Sequence, residues 1–273
     1  MHIDKLIRPY SEKHSIKEVV FTMYFDQSID DFSTLSNLSE KVNKKQFIQP
    51  IQLSSVTYEI NTGNPTDIKS KDETRIGFLW QKKNNDTSSI KQSIQIRNAN
   101  DQSFLSFHEL EYERWQNFKN DYLAIIDDVC NIPFSDNQTL AAFNLTYIDE
   151  FIWISDDSID LNLIFNHSSD YLPAYFFDSF YPNIDIAAIK SEPNSAETLT
   201  ERLAIDIQRT LPNPVITISH TVAITLAEVQ DLIYFCQNHL EAYLEKTHAF
   251  NKNTLSNLLN TEVQTLIHLP IKS

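Results

Sequence analysis

Glycine is nearly missing from this chain. Its 273 residues include two, Gly63 and Gly77, where average usage would give about nineteen. A phosphate-cradling P-loop, a dinucleotide-binding GxGxxG turn and a GxSxG nucleophile elbow each need at least two glycines in close register. These two stand fourteen positions apart, so all three motifs are excluded. Cysteine is as scarce. Cys130 and Cys236 are too few for a disulfide framework, and each lies in a helix-like pattern where a buried thiol is the ordinary occupant. Long apolar runs are missing too. The longest, Leu232 to Cys236, has about five residues, far below the roughly 20 that span a bilayer. The opening MHIDKLIRPYSEKHS has no apolar stretch of the kind a cleaved signal requires. These absences lead us to expect a cytoplasmic protein with no membrane segment.

Positive charge is the last deficit, and it is local. Residues 1–120 hold 16 Lys/Arg and 16 Asp/Glu, whereas residues 121–273 hold 6 and 21, which is the whole net charge of −15. So negative a surface repels a phosphate backbone, and no direct nucleic-acid binding is expected. A protein partner, basic in character, or plain solubility fits better.

What the chain does contain is core material: 41% hydrophobic residues with 17 Phe, 11 Tyr and 3 Trp, more than disordered chains carry. Strands are expected at Glu18–Phe25, Leu53–Ile60, Arg75–Trp80 and Ser93–Asn98, and in SFLSFHEL, from their β-branched and aromatic content. NTGNPTDIKSKDE reads as a loop. Trp115, Phe118, Tyr122, Ile125, Ile126 and Val129 recur at helical steps. Leu140–Ile154 reads as a long strand, Leu161–Phe165, Arg202–Thr210 and Pro214–Ile224 as further strands. TLAE at Thr225–Glu228 has the form of a capping box opening a helix through Val229, Leu232, Cys236, Leu240 and Tyr243. Short helices are expected over Thr254–Leu259 and Thr261–Leu269. The expected class is α+β: antiparallel sheets backed by long amphipathic helices, with a helical C-terminus. Both parts run from strands into a long helix, which suggests two related units, 1–155 and an acidic 156–273, or one compact domain containing both.

The order of EVVFTMYF, Tyr112-x-x-Trp115-x-x-Phe118, FNLTYIDEF, LAIDIQ and KTHAFNKNTLSNLLNTE resembles a sporadically distributed family of bacterial proteins of similar length that carries no assigned function. Members have an Arg-Tyr-Ile-Asn strand after the helix, where this chain reads Thr146-Tyr147-Ile148-Asp149. The resemblance implies a bacterial, intracellular, globular protein and no reaction.

Chemical candidates are few. His108-Glu109-x-Glu111 lacks the second histidine of a zincin, since Tyr112 stands in its place. Strand alternation also turns His108 and Glu109 to opposite faces, so the stretch reads as a joint between strand and helix. No two histidines stand at spacings that put two ligands on one face, and no metal or cofactor is expected. His220, inside the apolar ITISHTVAI, reads as a core histidine satisfied by one hydrogen bond. Asp149 belongs to the acid-rich run YIDEFIWISDDSIDL and replaces the Asn of the resembled family. His248 and Asn251, in KTHAFNKNT, lie where a helix is expected to stop, with Asn251 or Asn253 as a cap. Asp149, His220, His248 and Asn251 are the binding candidates, and no catalytic residue stands out. The function these features favour is non-enzymatic recognition of another macromolecule, a protein, in an accessory, defence or toxin-neutralising setting. Two alternatives stand beside it: an enzyme or small-ligand-binding protein whose site assembles from distant segments, and an acidic mimic of nucleic acid.

Overall fold

A computed structural model describes residues 2–11, 13–60, 68–178, 183–190, 196–209 and 213–269. In chain order the elements are β1 (Ile7–Pro9), β2 (Ile16–Phe25), α1 (Ser36–Asn43), β3 (Ile51–Ile60), β4 (Ile68–Lys83), β5 (Ile90–Ala99), β6 (Gln102–Glu109) and α2 (Trp115–Cys130). They continue with β7 (Thr139–Trp153), α3 (Leu161–Ile164), β8 (Asn183–Ile189), β9 (Glu197–Gln208), β10 (Val215–Asp231), α4 (Leu232–Asn238), α5 (Leu240–Leu258) and α6 (Thr261–Leu266). The strands join one antiparallel sheet in the order β3-β4-β5-β6-β2-β7-β10-β9-β8. The class is α+β, and the chain ends in helices.

The order of parts repeats. In the first part a strand (β2) is followed by a short helix, a meander whose last strand (β6) returns to pair with β2, and then α2. In the second, β7 is followed by α3, a meander whose last strand (β10) returns to pair with β7, and then α4 and α5. The two first strands, β2 and β7, lie side by side, so one sheet runs through residue 155. Each of the two apolar clusters also draws on both parts. One joins Phe21, Phe107 and Phe118 to Val222, Phe235 and Leu244. The other joins Ile3, Phe151 and Trp153 to Ile205, Ile218 and Leu258.

Alternation explains the burial. In β7 every second residue from Phe143 to Trp153 is buried, because successive side chains point to opposite faces. The helices cover that face. The other carries polar pairs such as Lys17–Glu150 (2.7 Å) and Thr146–Thr221 (2.8 Å). Gly77 sits beside an irregularity in the β3–β4 register, and a side chain there would run into the Ile96 carbonyl and Arg97. It marks close approach of two backbones.

Four expectations need correction. Leu161–Phe165 is not a strand: Leu161–Ile164 is a helical turn, with the Asp160 carboxylate accepting from the Asn162 amide at 3.0 Å. A run of five residues has no period long enough to separate the two. Thr225–Glu228 opens no helix, because β10 continues to Asp231. That residue is the true cap, accepting from the Tyr234 amide at 2.7 Å. Thr225 pairs with both Ala142 and Thr198, so ladder bonds outweigh a local capping motif. The helix that follows breaks at His239, and α5 then runs unbroken to Leu258, absorbing the short helix expected at 254–259. Of the loop expected between β3 and β4, residues 68–73 are strand and 61–67 lie outside the described residues.

Candidate functional site

Three strands and one helix carry an apolar row into the interior, and each row has a polar break. The inward row of β7 reads Phe143, Leu145, Tyr147, Asp149, Phe151, Trp153. That of β10 reads Ile216, Ile218, His220, Val222, Ile224, and that of β9 reads Leu199, Glu201, Leu203, Ile205, Ile207. The buried stripe of α5 is Leu240, Leu244, Thr247, Asn251, Thr254, Leu258. Sheet register brings the breaks together. His220 lies opposite Tyr147 and Leu203, and Ile218 lies opposite Asp149. The result is a polar belt between the two apolar clusters.

A cavity of about 710 Å³ opens along this belt. Tyr147, Asp149, Ile218, His220 and Leu203 line it from the sheet, and His248, Asn251, Lys252, Thr254, Leu255 and Leu258 from α5. Tyr112, Glu113, Arg114 and Trp115 line it from the start of α2, and Ile267, His268 and Leu269 from the C-terminal end. Lys13, His14 and Ile16 complete the wall. They come from a gap in the pairing along one side of β7, where β1 and then β2 pair with it and the chain between them leaves the sheet. The Tyr10 amide and the Ser15 carbonyl both bond to Glu150 at the two ends of that excursion (2.9 and 2.8 Å).

Asp149 is 2% exposed. The Ser15 hydroxyl donates to its Oδ1 at 2.6 Å, while Oδ2 takes no hydrogen bond from any described residue. Burial raises its pKa from the ordinary 3.8 to about 6, against the pull of the Ser15 bond and the His220 charge.

His220 is held at both nitrogens. The Asn251 amide nitrogen donates to the Thr247 carbonyl (3.1 Å), which turns its Oδ1 toward His220 Nδ1 at 2.5 Å. His220 Nε2 meets the Glu201 carboxylate at 2.8 Å. The ring thus bridges Asn251 and the Glu201 carboxylate, with an oxygen facing each of its nitrogens. Glu201, also 2% exposed, accepts further from Thr254 (2.6 Å), Tyr171 (3.0 Å) and Lys190. Burial alone would raise the Glu201 carboxyl, but the bonds from His220, Lys190 and Thr254 outweigh it and hold the group well below the ordinary 4.5. Polar side chains therefore run in a connected series through the interior, from Lys190 through Glu201 and His220 to Asn251.

The opposite wall is aromatic. His248 stacks on Trp115 with ring centres 4.1 Å apart and planes 8° from parallel. Tyr147 donates to His248 Nδ1 at 2.8 Å. Burial, helped by the Lys252 charge, lowers the His248 pKa to about 4, so this ring is neutral at neutral pH and can accept that proton. The Trp115 indole in turn donates to both Glu245 oxygens at 3.1 Å.

All four candidates from the sequence, Asp149, His220, His248 and Asn251, line this one cavity. Asn251 does so from mid-helix rather than as a cap. The acid-rich run around Asp149 does not stay together: Glu150 faces the other side of the sheet toward Lys17, and Asp160 caps α3. His108 and Glu109 part as alternation requires, His108 to Glu18 (2.7 Å) and Glu109 inward to Gln92 (2.6 Å). Sequence reasoning missed Ser15, Tyr147, Glu201 and Thr254. Glu201 was within reach, because the alternation of Leu203, Ile205 and Ile207 carried back two residues lands on it. Compared with models of protein families, with curated proteins and with solved structures, the chain matches none.

Proposed function

We propose that the protein binds a small organic molecule in this cavity, with Asp149 receiving a hydrogen-bond donor from it. One observation carries the reading: Asp149, 2% exposed, lines a cavity of about 710 Å³ with a carboxylate oxygen that accepts no bond from a described residue and is open to a donor. Pockets for small molecules run to about 300–1,000 Å³ and combine apolar walls with a few fixed polar groups. The reading takes up the alternative of a site assembled from distant segments. Recognition of another macromolecule through the acidic surface gains no comparable support from the fold.

Native mass spectrometry of the purified protein tests it. The chain should carry a small molecule that is released on denaturation, and filling the cavity with Leu255→Trp or Ile218→Phe should abolish that extra mass. An empty chain whose melting temperature also stays fixed across a metabolite panel would remove the proposal.

A further inference from the structure

We infer that the ligand is an organic acid with an apolar body: its anionic group sits at the cavity mouth against Lys13, Arg114 and Lys252, and a hydroxyl or amine at its other end reaches Asp149. The inference rests on the cavity being a binding site and names the class of molecule that fits it.

The mouth runs against the charge of the chain. The whole sequence has 22 basic and 37 acidic residues, yet three exposed cations from three separate segments line this cavity. None of the three has an ion-pair partner among the described residues. Among the described residues that line the cavity, Glu113 is the one exposed carboxylate, and it is engaged by the Asn117 side chain at 3.2 Å.

The helix at the mouth is also built the wrong way round for an isolated helix. The 16-residue α2 has Arg114 at its N-cap, no side-chain cap and no acid in its first turn. Its first amide bonded within the helix is that of Phe118, to the Arg114 carbonyl at 3.2 Å. Helix starts favour Ser, Thr, Asp or Asn and negative charge, because free amides and the positive end of the dipole collect there. An arginine at that point adds repulsion. A bound anion offsets both defects, and free amides beside a guanidinium form the kind of place where carboxylates and phosphates settle.

The inner end independently points to a ligand. Asp149 is almost wholly buried, lines the same cavity and has an oxygen that accepts from no described residue. That end takes a donor, not an anion. Between floor and mouth the wall includes Leu203, Ile218, Leu255, Leu258, Ile267 and Leu269, which suit a hydrocarbon body.

Calorimetric titration with ω-hydroxydecanoate, with the diol of the same length and with plain decanoate separates these parts. A charge-assisted contact is worth about 1.5–3 kcal/mol, or a factor of roughly ten to a hundred in affinity. The hydroxy acid should therefore bind at least about tenfold tighter than the diol. It should weaken in high salt, and should fall to the level of the diol in Arg114→Ala/Lys252→Ala, while the diol itself is unchanged. Both replaced side chains are exposed, so folding is not at issue. Decanoate should bind more weakly than the hydroxy acid and lose nothing further in Asp149→Asn. A diol that matches the acid, or an acid that ignores both salt and the double variant, overturns the anion assignment and leaves the cavity reading standing. If no probe binds, the inference falls, while the reading beneath it is still decided by the native mass spectrum and the metabolite panel.

Discussion

Replacing Glu201 by alanine should cost the protein about 3–5 kcal/mol of stability, the usual cost of removing one partner of a buried pair. The carboxylate answers four donors, from His220, Thr254, Tyr171 and Lys190. Lys190 is 43% exposed and can turn to water, but the His220 side chain is 4% exposed and cannot. The variant takes from the buried ring the carboxylate on its Nε2 side and leaves that nitrogen in the interior without this partner. Denaturant midpoints at neutral pH should show the loss. The pH dependence gives a second check. The folded-state pKa of Glu201 lies well below the ordinary 4.5, so its contribution is complete above that value and is lost as pH falls through the folded pKa. The gap between wild type and variant should therefore close on acidification. Replacing Glu201 and His220 together by leucine should cost less than the two single changes added, since neither group is then left alone. A loss below about 1 kcal/mol, or a gap that widens in acid, would contradict the buried polar series.

Asp149→Asn should do the reverse: stabilise the empty protein while weakening its ligand. The folded pKa of Asp149, about 6, stands above the ordinary 3.8. Its favourable contribution is thus complete below about pH 4 and is lost as pH rises through 6, where the buried group must ionise. At neutral pH the net cost of that charge is about 1–3 kcal/mol. Asparagine keeps an acceptor for Ser15 and carries no charge. Wild type and variant should melt alike near pH 4 and diverge up to pH 7, with the variant higher. A functional group held at the expense of stability is the pattern expected of a binding site. If the variant is the less stable of the two at pH 7–8, the carboxylate already has the partners it needs.

The outline of the fold was legible in the sequence because its strands are long and regularly alternating. β2, β6, β7 and β10 each declare themselves, and antiparallel pairing follows from their order. The misreadings fall where local and tertiary preferences compete. Thr225–Glu228 has the residues of a capping box, but a place between β7 and β9 holds it extended. Leu161–Ile164 is too short for its period to be read. The site was half legible. Asp149, His220 and Asn251 stand out as polar residues in apolar settings, which is the signature of the belt. Tyr147 and Thr254 give no such signal, because Tyr and Thr are ordinary in rows of this kind. Ser15 reaches Asp149 only because pairing along this side of β7 stops after Pro9 and resumes at Ile16, and no pattern in MHIDKLIRPYSEKHS announces that. The cavity itself is a product of register: slip β10 by one residue against β7, and His220 turns to the other face of the sheet, away from Tyr147 and Asp149.

The central claim is that the polar breaks in these rows exist to hold a molecule, and crystals of the protein purified without stripping its ligands test it most directly. Density for a non-protein molecule should fill the cavity, with a nitrogen or oxygen about 2.6–3.0 Å from Asp149 Oδ2. A well-ordered crystal in which Asp149 Oδ2 is bonded to another side chain, and the cavity is closed by the surrounding walls, would contradict the account.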